Sequence, residues 1–238
     1  MIQVCHLDPL LAIVAVLALG TVFGLGMGFL IHGFSLPPFL VTLAGLFFCR
    51  GIGLVISTES IAIPAPLYVK LSGFAMPLGS GLRLPLPAVI FLVVLAAGIF
   101  IARQTPFGRH VYALGGNEPS ARLMGLPIGR TKIGVYALSG FCSALAGVVY
   151  TIYTSSGNAI AATSLELDAI AAVVVGGTLL SGGVGNVAGT LVGVLIFGII
   201  QTAITFQGTL SSWWTKIAVG VLLLAFILLQ RLIQRKAT

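Results

Sequence analysis

The chain contains several apolar runs that are long enough to cross a membrane. The first, Leu10 to Ile31, has 22 consecutive residues without a charged side chain. A helix of about 20 apolar residues spans a hydrocarbon core of about 30 Å. Only helices and closed barrels satisfy their backbone hydrogen bonds inside lipid. The runs therefore predict an all-α polytopic membrane protein.

The composition excludes a soluble class. Of the 238 residues, 58% are hydrophobic and 7% are charged, and the mean hydropathy is +1.15. A soluble domain needs a surface that is several times richer in charge. The net charge of +7 does not indicate nucleic acid as a partner, because the cations gather at the edges of apolar runs and form no stripe with aromatic side chains. Membrane lipid is the expected surrounding.

About seven crossings are predicted within a single transmembrane domain over residues 1–238. Trp213 and Trp214 mark the outer membrane interface before the last crossing. The spans are about 10–31, 38–56, 84–102, 133–153, 169–186, 187–206 and 213–230. Small residues at every fourth position predict faces where helices pack closely. These sets are Gly20, Gly24 and Gly28, then Ser139, Ser143 and Gly147, and then Gly185, Gly189 and Gly193.

One polar stretch, Arg103 to Lys132, orients the chain. Five of the 12 Lys and Arg residues lie in it, beside His110 and against a single acid, Glu118. Cytoplasmic loops carry an excess of Lys and Arg, so this loop and the basic C-terminus are expected in the cytoplasm. The nearly neutral loop 57–86 is expected on the outer side.

A glycine-rich segment breaks the fifth run. Ala169 to Ser181 has 13 residues, which form a helix of only about 20 Å, so a re-entrant half-helix is one reading. Parity favours a crossing over residues 169–186, because the polar stretch and the C-terminus must share one side. Non-helical backbone at this depth lines protein or a water-filled cavity. The candidate pathway glycines are Gly176, Gly177, Gly182, Gly183 and Gly185.

Five polar residues near the apolar runs are further candidates. Arg50 lies inside the second run, where it either bonds to backbone carbonyls of a neighbouring helix or faces the substrate path. Gln201 and Thr205 are one turn apart, so they can hydrogen-bond across helices or to a polar solute. Glu166 and Asp168 either stabilise the start of a helix or serve as an outer gate or a contact for a solute-delivering partner.

A short helix of about two turns is predicted inside the polar stretch. An N-cap residue and an acid open it, an i, i+4 ion pair spans it, and a glycine suited to a left-handed C-terminal cap ends it. Two apolar side chains offer a modest contact. Read alone, the pattern fits an ordinary interfacial helix or a docking element. The residues are Asn117, Glu118, Ala121, Arg122, Met124 and Gly125.

The sequence contains no recognisable catalytic or metal-binding constellation, so we do not expect an enzyme. The scattered Cys5, Cys49 and Cys142 have no metal-ligand spacing, and no histidine is paired with a nucleophile. A phosphate-binding GxxxxGK[ST] loop is also missing from the sequence. Any ATP and Mg²⁺ must therefore bind to a partner, and this chain itself needs no cofactor.

Several long motifs resemble the permeases of ribose-type ABC importers. They are TPFGR (105–109), YALGGN (112–117), ARLMGLP (121–127), YALSGFCSALAGVVY (136–150), the segment 166–193 and TLAGLFFCRGIG (42–53). The resemblance runs from about Pro9 to Arg231. Within that family, residues 56–63 and 207–214 look closest to galactofuranose permease subunits.

This resemblance implies a helical, dimeric permease similar in fold to the vitamin B12 class of importers, in the bacterial inner membrane. It implies ATP-binding cassette subunits, a second permease subunit and a periplasmic sugar-binding protein as partners. The helix at Asn117 to Gly125 would be the coupling helix. Family members begin with further helices, so we expect this chain to be N-terminally shortened. Ribose or another monosaccharide is the alternative cargo.

A stand-alone channel or a secondary carrier is the rival class. Such proteins usually carry an acid or histidine at the membrane midplane for ion coupling. Here the acids of the second half, Glu166 and Asp168, lie at the edge of an apolar run, and Arg50 stands alone. The pattern therefore favours the ATP-driven class.

Overall fold

The computed structural model describes residues 8–77 and 83–206 and some positions further on, and it confirms the all-α class. The further positions are Trp214, Lys216, Ile217, Gly220, Val221, residues 223–226 and Leu228. Helices dominate the described chain, and its strands are two or three residues long. Among the described residues, five helices are long and apolar enough to cross a membrane.

The helices that can span are α1 (Pro9–Gly33), α2 (Pro38–Ile56), α4 (Leu86–Gln104), α7 (Ile128–Thr154) and α9 (Val187–Phe206). The shorter helices are α3 (Pro66–Ser72), α5 (Pro106–Gly116), α6 (Glu118–Leu123) and α8 (Leu165–Val175). The antiparallel strand pairs are β1 (Ile61–Ala62) with β4 (Ser156–Gly157) and β2 (Ala75–Pro77) with β3 (Arg83–Pro85).

The chain divides into two compact units, and the single transmembrane domain over residues 1–238 stays a prediction. One contains Met1–Val94 and Pro127–Ala162, and the other contains Leu95–Leu126 and Thr163–Thr238.

In the first unit, α1 and α7 pack antiparallel with their backbones in contact. The facing pairs are Gly20 with Gly140, Gly24 with Tyr136 and Gly28 with Ile133. A methyl group added to Gly28 would lie 2.9 Å from the Ile133 Cα, so a larger residue there forces the helices apart. The predicted packing face of the first span is confirmed.

The face of α7 that packs against α1 is displaced by one residue from the predicted face. Ser139, Ser143 and Gly147 are exposed, and nothing lies within 4 Å of a methyl group placed on Gly147. The neighbouring stripe, with Gly140 and Ala144, meets α1 instead. Both stripes have the same helical spacing, so periodicity alone does not distinguish them.

A short segment before and within α3 covers one end of α7 in the same unit. Ala65 and Tyr68, at the start of α3, are buried against Val148 and Ile152 of α7. The Ile63 amide donates to the Ser155 carbonyl oxygen over 2.9 Å. The loop before α4 and the segment after α7 therefore meet at one end of α7, as the predicted topology requires.

Two of the spanning helices, α2 and α4, bury no residue against the part of the chain that the structure describes. On α2, Val55 is 88% exposed, and the main aromatic contact is a stack of Phe48 on Phe23 with ring centroids 6.2 Å apart. Such extended apolar surfaces require lipid or a protein partner as their surrounding.

In the second unit, α8 and α9 pack antiparallel. Gly193 lies against the Ala172 carbonyl, and Gly189 lies against the Gly176 carbonyl. The buried side chains of this pair come largely from α8, including Val174, which is 2% exposed. Close packing at Gly189 and Gly193 is therefore confirmed, whereas Gly185 lies before α9 begins.

Three predicted spans differ from the helices observed. The third begins at Leu86, because Leu84 pairs with Met76 between β3 and β2. The fourth begins at Ile128 and thus includes the last cations of the polar stretch. The fifth is helical only to Val175. The seventh, 213–230, falls largely outside the described residues, as do Trp213 and the basic C-terminus, so the count of seven stays a prediction.

Candidate functional site: the polar stretch and the glycine turn

The polar stretch 103–132 folds into two short helices before α7 begins. The first, α5, opens at Thr105, whose hydroxyl oxygen accepts a hydrogen bond from the Gly108 amide over 3.2 Å, and Pro106 occupies its first position. Sequence reasoning missed this helix. A threonine cap followed by proline is a typical helix start, so the signal was present in the chain.

The second helix, α6, is capped as predicted. The Asn117 side chain accepts a hydrogen bond from the Ser120 amide over 2.9 Å. Arg122 Nη2 lies 3.9 Å from Glu118 Oε1 in the predicted i, i+4 pair. Gly125 has φ +74°, a left-handed conformation that favours glycine. The local interactions of this segment therefore define both of its ends.

The apolar side chains of α6 divide into a buried and an exposed set. Ala121 is 0% exposed, so in this structure it supports the helix and offers no atom to a partner. Met124 is 67% exposed, and Leu123, which sequence reasoning did not select, is 90% exposed. The surface available to a partner is therefore formed by Leu123 and Met124.

The glycine turn, residues 176–186, joins α8 to α9. Gly177, Gly182 and Gly183 have φ of +91°, +87° and +77°. Within the turn the Leu179 amide donates to the Val184 carbonyl oxygen over 3.0 Å. These left-handed positions reverse the chain direction after only 11 residues of α8. The predicted break is confirmed, and the proposed role of these glycines in a pathway stays a prediction.

The structure brings the glycine turn against α5 and against Arg103, at the end of α4. The Tyr112 hydroxyl donates to the Gly185 carbonyl oxygen over 3.0 Å, and Arg103 Nη2 lies 3.5 Å from Asn186 Oδ1. A methyl group on Gly115 would lie 2.7 Å from the Gly183 nitrogen. Two regions that the sequence placed in different roles therefore form one packed site.

The remaining candidate residues take no part in the contact between α5 and the glycine turn. Arg50 is partly exposed on α2 and has no hydrogen bond or ion pair within the described chain, so the expected bond to a neighbouring backbone is not observed. The Thr205 hydroxyl donates to the Gln201 carbonyl oxygen over 2.8 Å, within α9. Glu166 and Asp168 lie in the first turn of α8, where the helix dipole favours acids.

A groove of about 460 Å³ runs between α4 and α7 in the first unit. Its walls include Ile90, Phe91 and Leu145, with Tyr150 and Tyr153 at one end. Almost all of the lining is apolar, so the groove has few groups that can hydrogen-bond to a polar solute. Across the described residues, no three His, Cys, Asp or Glu side chains group together as metal ligands.

The long apolar helices define the class of a polytopic membrane protein, and comparison with known proteins identifies the family. Residues 1–227 match the family model described as branched-chain amino acid transport system / permease component. The chain belongs to this family of ABC transporter permease subunits. Such subunits are not enzymes themselves, as expected from the sequence.

Three relatives illustrate the similarity. The inner membrane ABC transporter permease protein YjfF of Escherichia coli K12 is 54% identical over 94% of this chain and 68% of its own length. The ribose import permease protein RbsC of Haemophilus influenzae is 40% identical over 94% and 69%. The fructose import permease protein FruG of Bifidobacterium longum is 36% identical over 93% and 66%.

The chain spans about two thirds of the length of these relatives. No solved structure matches it.

Proposed function

We propose that this chain is the membrane-spanning subunit of an ATP-driven importer of monosaccharides in the bacterial inner membrane, with its C-terminus in the cytoplasm. Family membership supports the permease role. Relatives named for ribose import and fructose import, which are both monosaccharides, support a sugar as cargo. ATP and Mg²⁺ bind to the partner ATP-binding cassette subunit.

The observation that carries the proposal is the capped helix α6 with its exposed apolar end. Leu123 and Met124 are 90% and 67% exposed beside the cations of the polar stretch. A large apolar side chain in such a polar setting gains from burial in a partner. We assign this surface to docking in the ATP-binding subunit. The two caps and the ion pair stabilise the helix through Asn117, Glu118, Arg122 and Gly125. The buried Ala121 side chain packs against the rest of the protein.

The translocation pathway is proposed along α8, the glycine turn and α9. Gly176, Gly177, Gly182 and Gly183 provide irregular backbone that needs cover from protein or water. Gln201 and Thr205, on exposed turns of α9, supply polar groups for a sugar. In the first unit, Arg50 on α2 is proposed separately as a pathway residue. A second permease subunit, either a copy or a paralogue, completes the pathway.

Glu166 and Asp168 are proposed as an outer gate or as a contact for a periplasmic sugar-binding protein. Glu166 is exposed in the first turn of α8, so it can meet a partner. For the sugar itself we propose galactofuranose, on the likeness of residues 56–63 and 207–214 to galactofuranose permeases. Ribose and another monosaccharide are the alternatives.

Replacing Leu123 with Asp tests the docking assignment. We expect about tenfold weaker binding of the ATP-binding subunit to the detergent-solubilised permease, because the variant removes a large exposed apolar contact and adds a charge. The measurement is a binding titration of the two purified subunits. Ser120→Asp is the matched control, since it adds the same charge to the exposed first turn of α6 and keeps Leu123.

Equal binding of the ATP-binding subunit to the wild type and to Leu123→Asp would contradict the docking assignment. The sugar assignment is tested separately, by uptake of galactofuranose, ribose and fructose into proteoliposomes that contain the complete importer. ATP-dependent uptake of one of them is the expected result. Uptake driven by an ion gradient, without the ATP-binding subunit, would instead indicate a secondary carrier.

A further inference from the structure

Three different contacts hold the glycine turn, two from α5 and one from Arg103 at the end of α4. The first is the hydrogen bond from the Tyr112 hydroxyl to the Gly185 carbonyl oxygen, and the second is the polar contact between Arg103 and Asn186. The third is direct backbone packing. Methyl groups added to Gly115, Gly182 and Gly183 would lie 2.7, 2.7 and 2.6 Å from the opposing backbone. Because opposing backbone atoms cannot yield as a flexible side chain can, the surfaces fit only without side chains.

On one side of this contact, α5 leads without a linker into α6, the proposed docking helix. Asn117 ends α5, with its amide donating to the Ala113 carbonyl oxygen over 3.2 Å, and its side chain caps α6. A single residue therefore belongs to the ends of both helices. Because no flexible linker separates the two helices, a displacement of α6 also displaces Gly115 and Gly116.

On the other side, the turn leads directly into the packed pair of α8 and α9. Asn186 Oδ1 accepts a hydrogen bond from the Ala188 amide over 3.0 Å and thus caps the start of α9. At the other end of the turn, Gly176 lies against Gly189 of α9. Both helices therefore follow the position of the turn.

We propose that the contact of Tyr112, Gly115 and Gly116 with Gly182, Gly183 and Gly185 transmits movement of the docking helix to α8 and α9. Tyr112 is the positioning residue of this contact, since its hydroxyl holds the turn on α5. The proposal rests on the proposed function and adds the route by which a partner's ATP cycle reaches the membrane-spanning part. Loosening the contact leaves docking intact and separates ATP hydrolysis from uptake.

The test is Tyr112→Phe in the complete importer reconstituted into proteoliposomes, with galactofuranose, ribose and fructose as probes. The ring remains and one hydrogen bond is lost, so we expect about a fivefold fall in sugar taken up per ATP hydrolysed. Binding of the ATP-binding subunit remains unchanged. Tyr153→Phe is the matched control, because Tyr153 is 73% exposed on α7 and forms no side-chain hydrogen bond in the described chain.

A second variant, Gly115→Ala, adds a methyl group at the same contact and should lower uptake per ATP by about tenfold. Its control is Gly26→Ala on α1, where a methyl group has no neighbour within 4 Å. If both Tyr112→Phe and Gly115→Ala keep the wild-type ratio of uptake to hydrolysis, the transmission route is overturned. A wild-type chain that fails to bind the ATP-binding subunit overturns the proposed function itself, and the route with it.

Discussion

The two antiparallel helix pairs, α1 with α7 and α8 with α9, use the same contact in different ways. In both pairs a glycine on one helix touches backbone on the other, as between Gly24 and Tyr136 or between Gly193 and Ala172. The first pair joins helices of 25 and 27 residues. The second joins a helix of 11 residues to one of 20 through a turn with left-handed glycines.

The difference teaches what close packing achieves in each unit. Along α1 and α7 the glycines are spread over two turns, which suits a rigid scaffold. Beside α8 the packed length is short, and the turn has a hydrogen bond to α5. The turn that joins the second pair is therefore also held by a separate element, α5.

The largest effect is expected from Gly24→Val in the long pair. Its side chain would collide with the Tyr136 carbonyl and lie against the Ala137 Cα, so α1 and α7 must separate. We expect a loss of about 3 kcal/mol in the free energy of unfolding. Denaturant titration of the purified chain in detergent measures it.

Gly26→Val on the same helix serves as the comparison variant, because a methyl group there has no neighbour within 4 Å. If Gly24→Val and Gly26→Val unfold at the same denaturant concentration, the α1–α7 contact does not stabilise the fold.

A smaller effect is expected from Gly193→Val in the short pair, because α8 can shift away from α9 more easily than a long helix can. The added side chain meets the Ala172 carbonyl and the Gly176 nitrogen. We expect the local stability to fall by about 2 kcal/mol. Hydrogen exchange of the amides of residues 165–175 should accelerate, while those of residues 10–31 stay protected.

The corresponding control is Gly198→Val, further along α9, where a methyl group has open space. Acceleration of exchange in both pairs together would show that they unfold as one, and the distinction between them would fail.

The smallest effect is expected from Gly177→Ala, which separates backbone strain from crowding. A methyl group at Gly177 has no neighbour within 4 Å, but φ is +91°, so only the conformation is penalised. We expect a loss of about 1 kcal/mol, seen as a lower thermal midpoint.

Gly147→Ala in α7 should change stability in the opposite direction, because that position is helical and open. A Gly177→Ala variant as stable as the wild type would mean that the turn relaxes without cost.

Much of the architecture follows from local properties of the chain. The apolar runs predict the spans 38–56 and 187–206 with the bounds observed, because helix length in a membrane depends on uninterrupted apolar sequence. Asn117 and Gly125 predict both ends of α6, because caps act on backbone groups a few residues away.

Other features depend on segments that are distant in the chain. The stripe on α7 that packs against α1 includes Gly140, and no local signal separates it from the equally spaced Ser139 stripe. Likewise the burial of Ala121 and the exposure of Leu123 depend on what surrounds α6. Sequence periodicity identifies such surfaces without choosing between them.

The contact of α5 with the glycine turn marks this limit most clearly. The glycines at 176–186 predict a break, and the local chain provides the left-handed turn. The partner of that turn, Tyr112, lies 73 residues from Gly185, and their hydrogen bond depends on the packing of several helices. Short-range chemistry thus sets helices, caps and turns, whereas the complementary shapes of distant segments decide which of them touch.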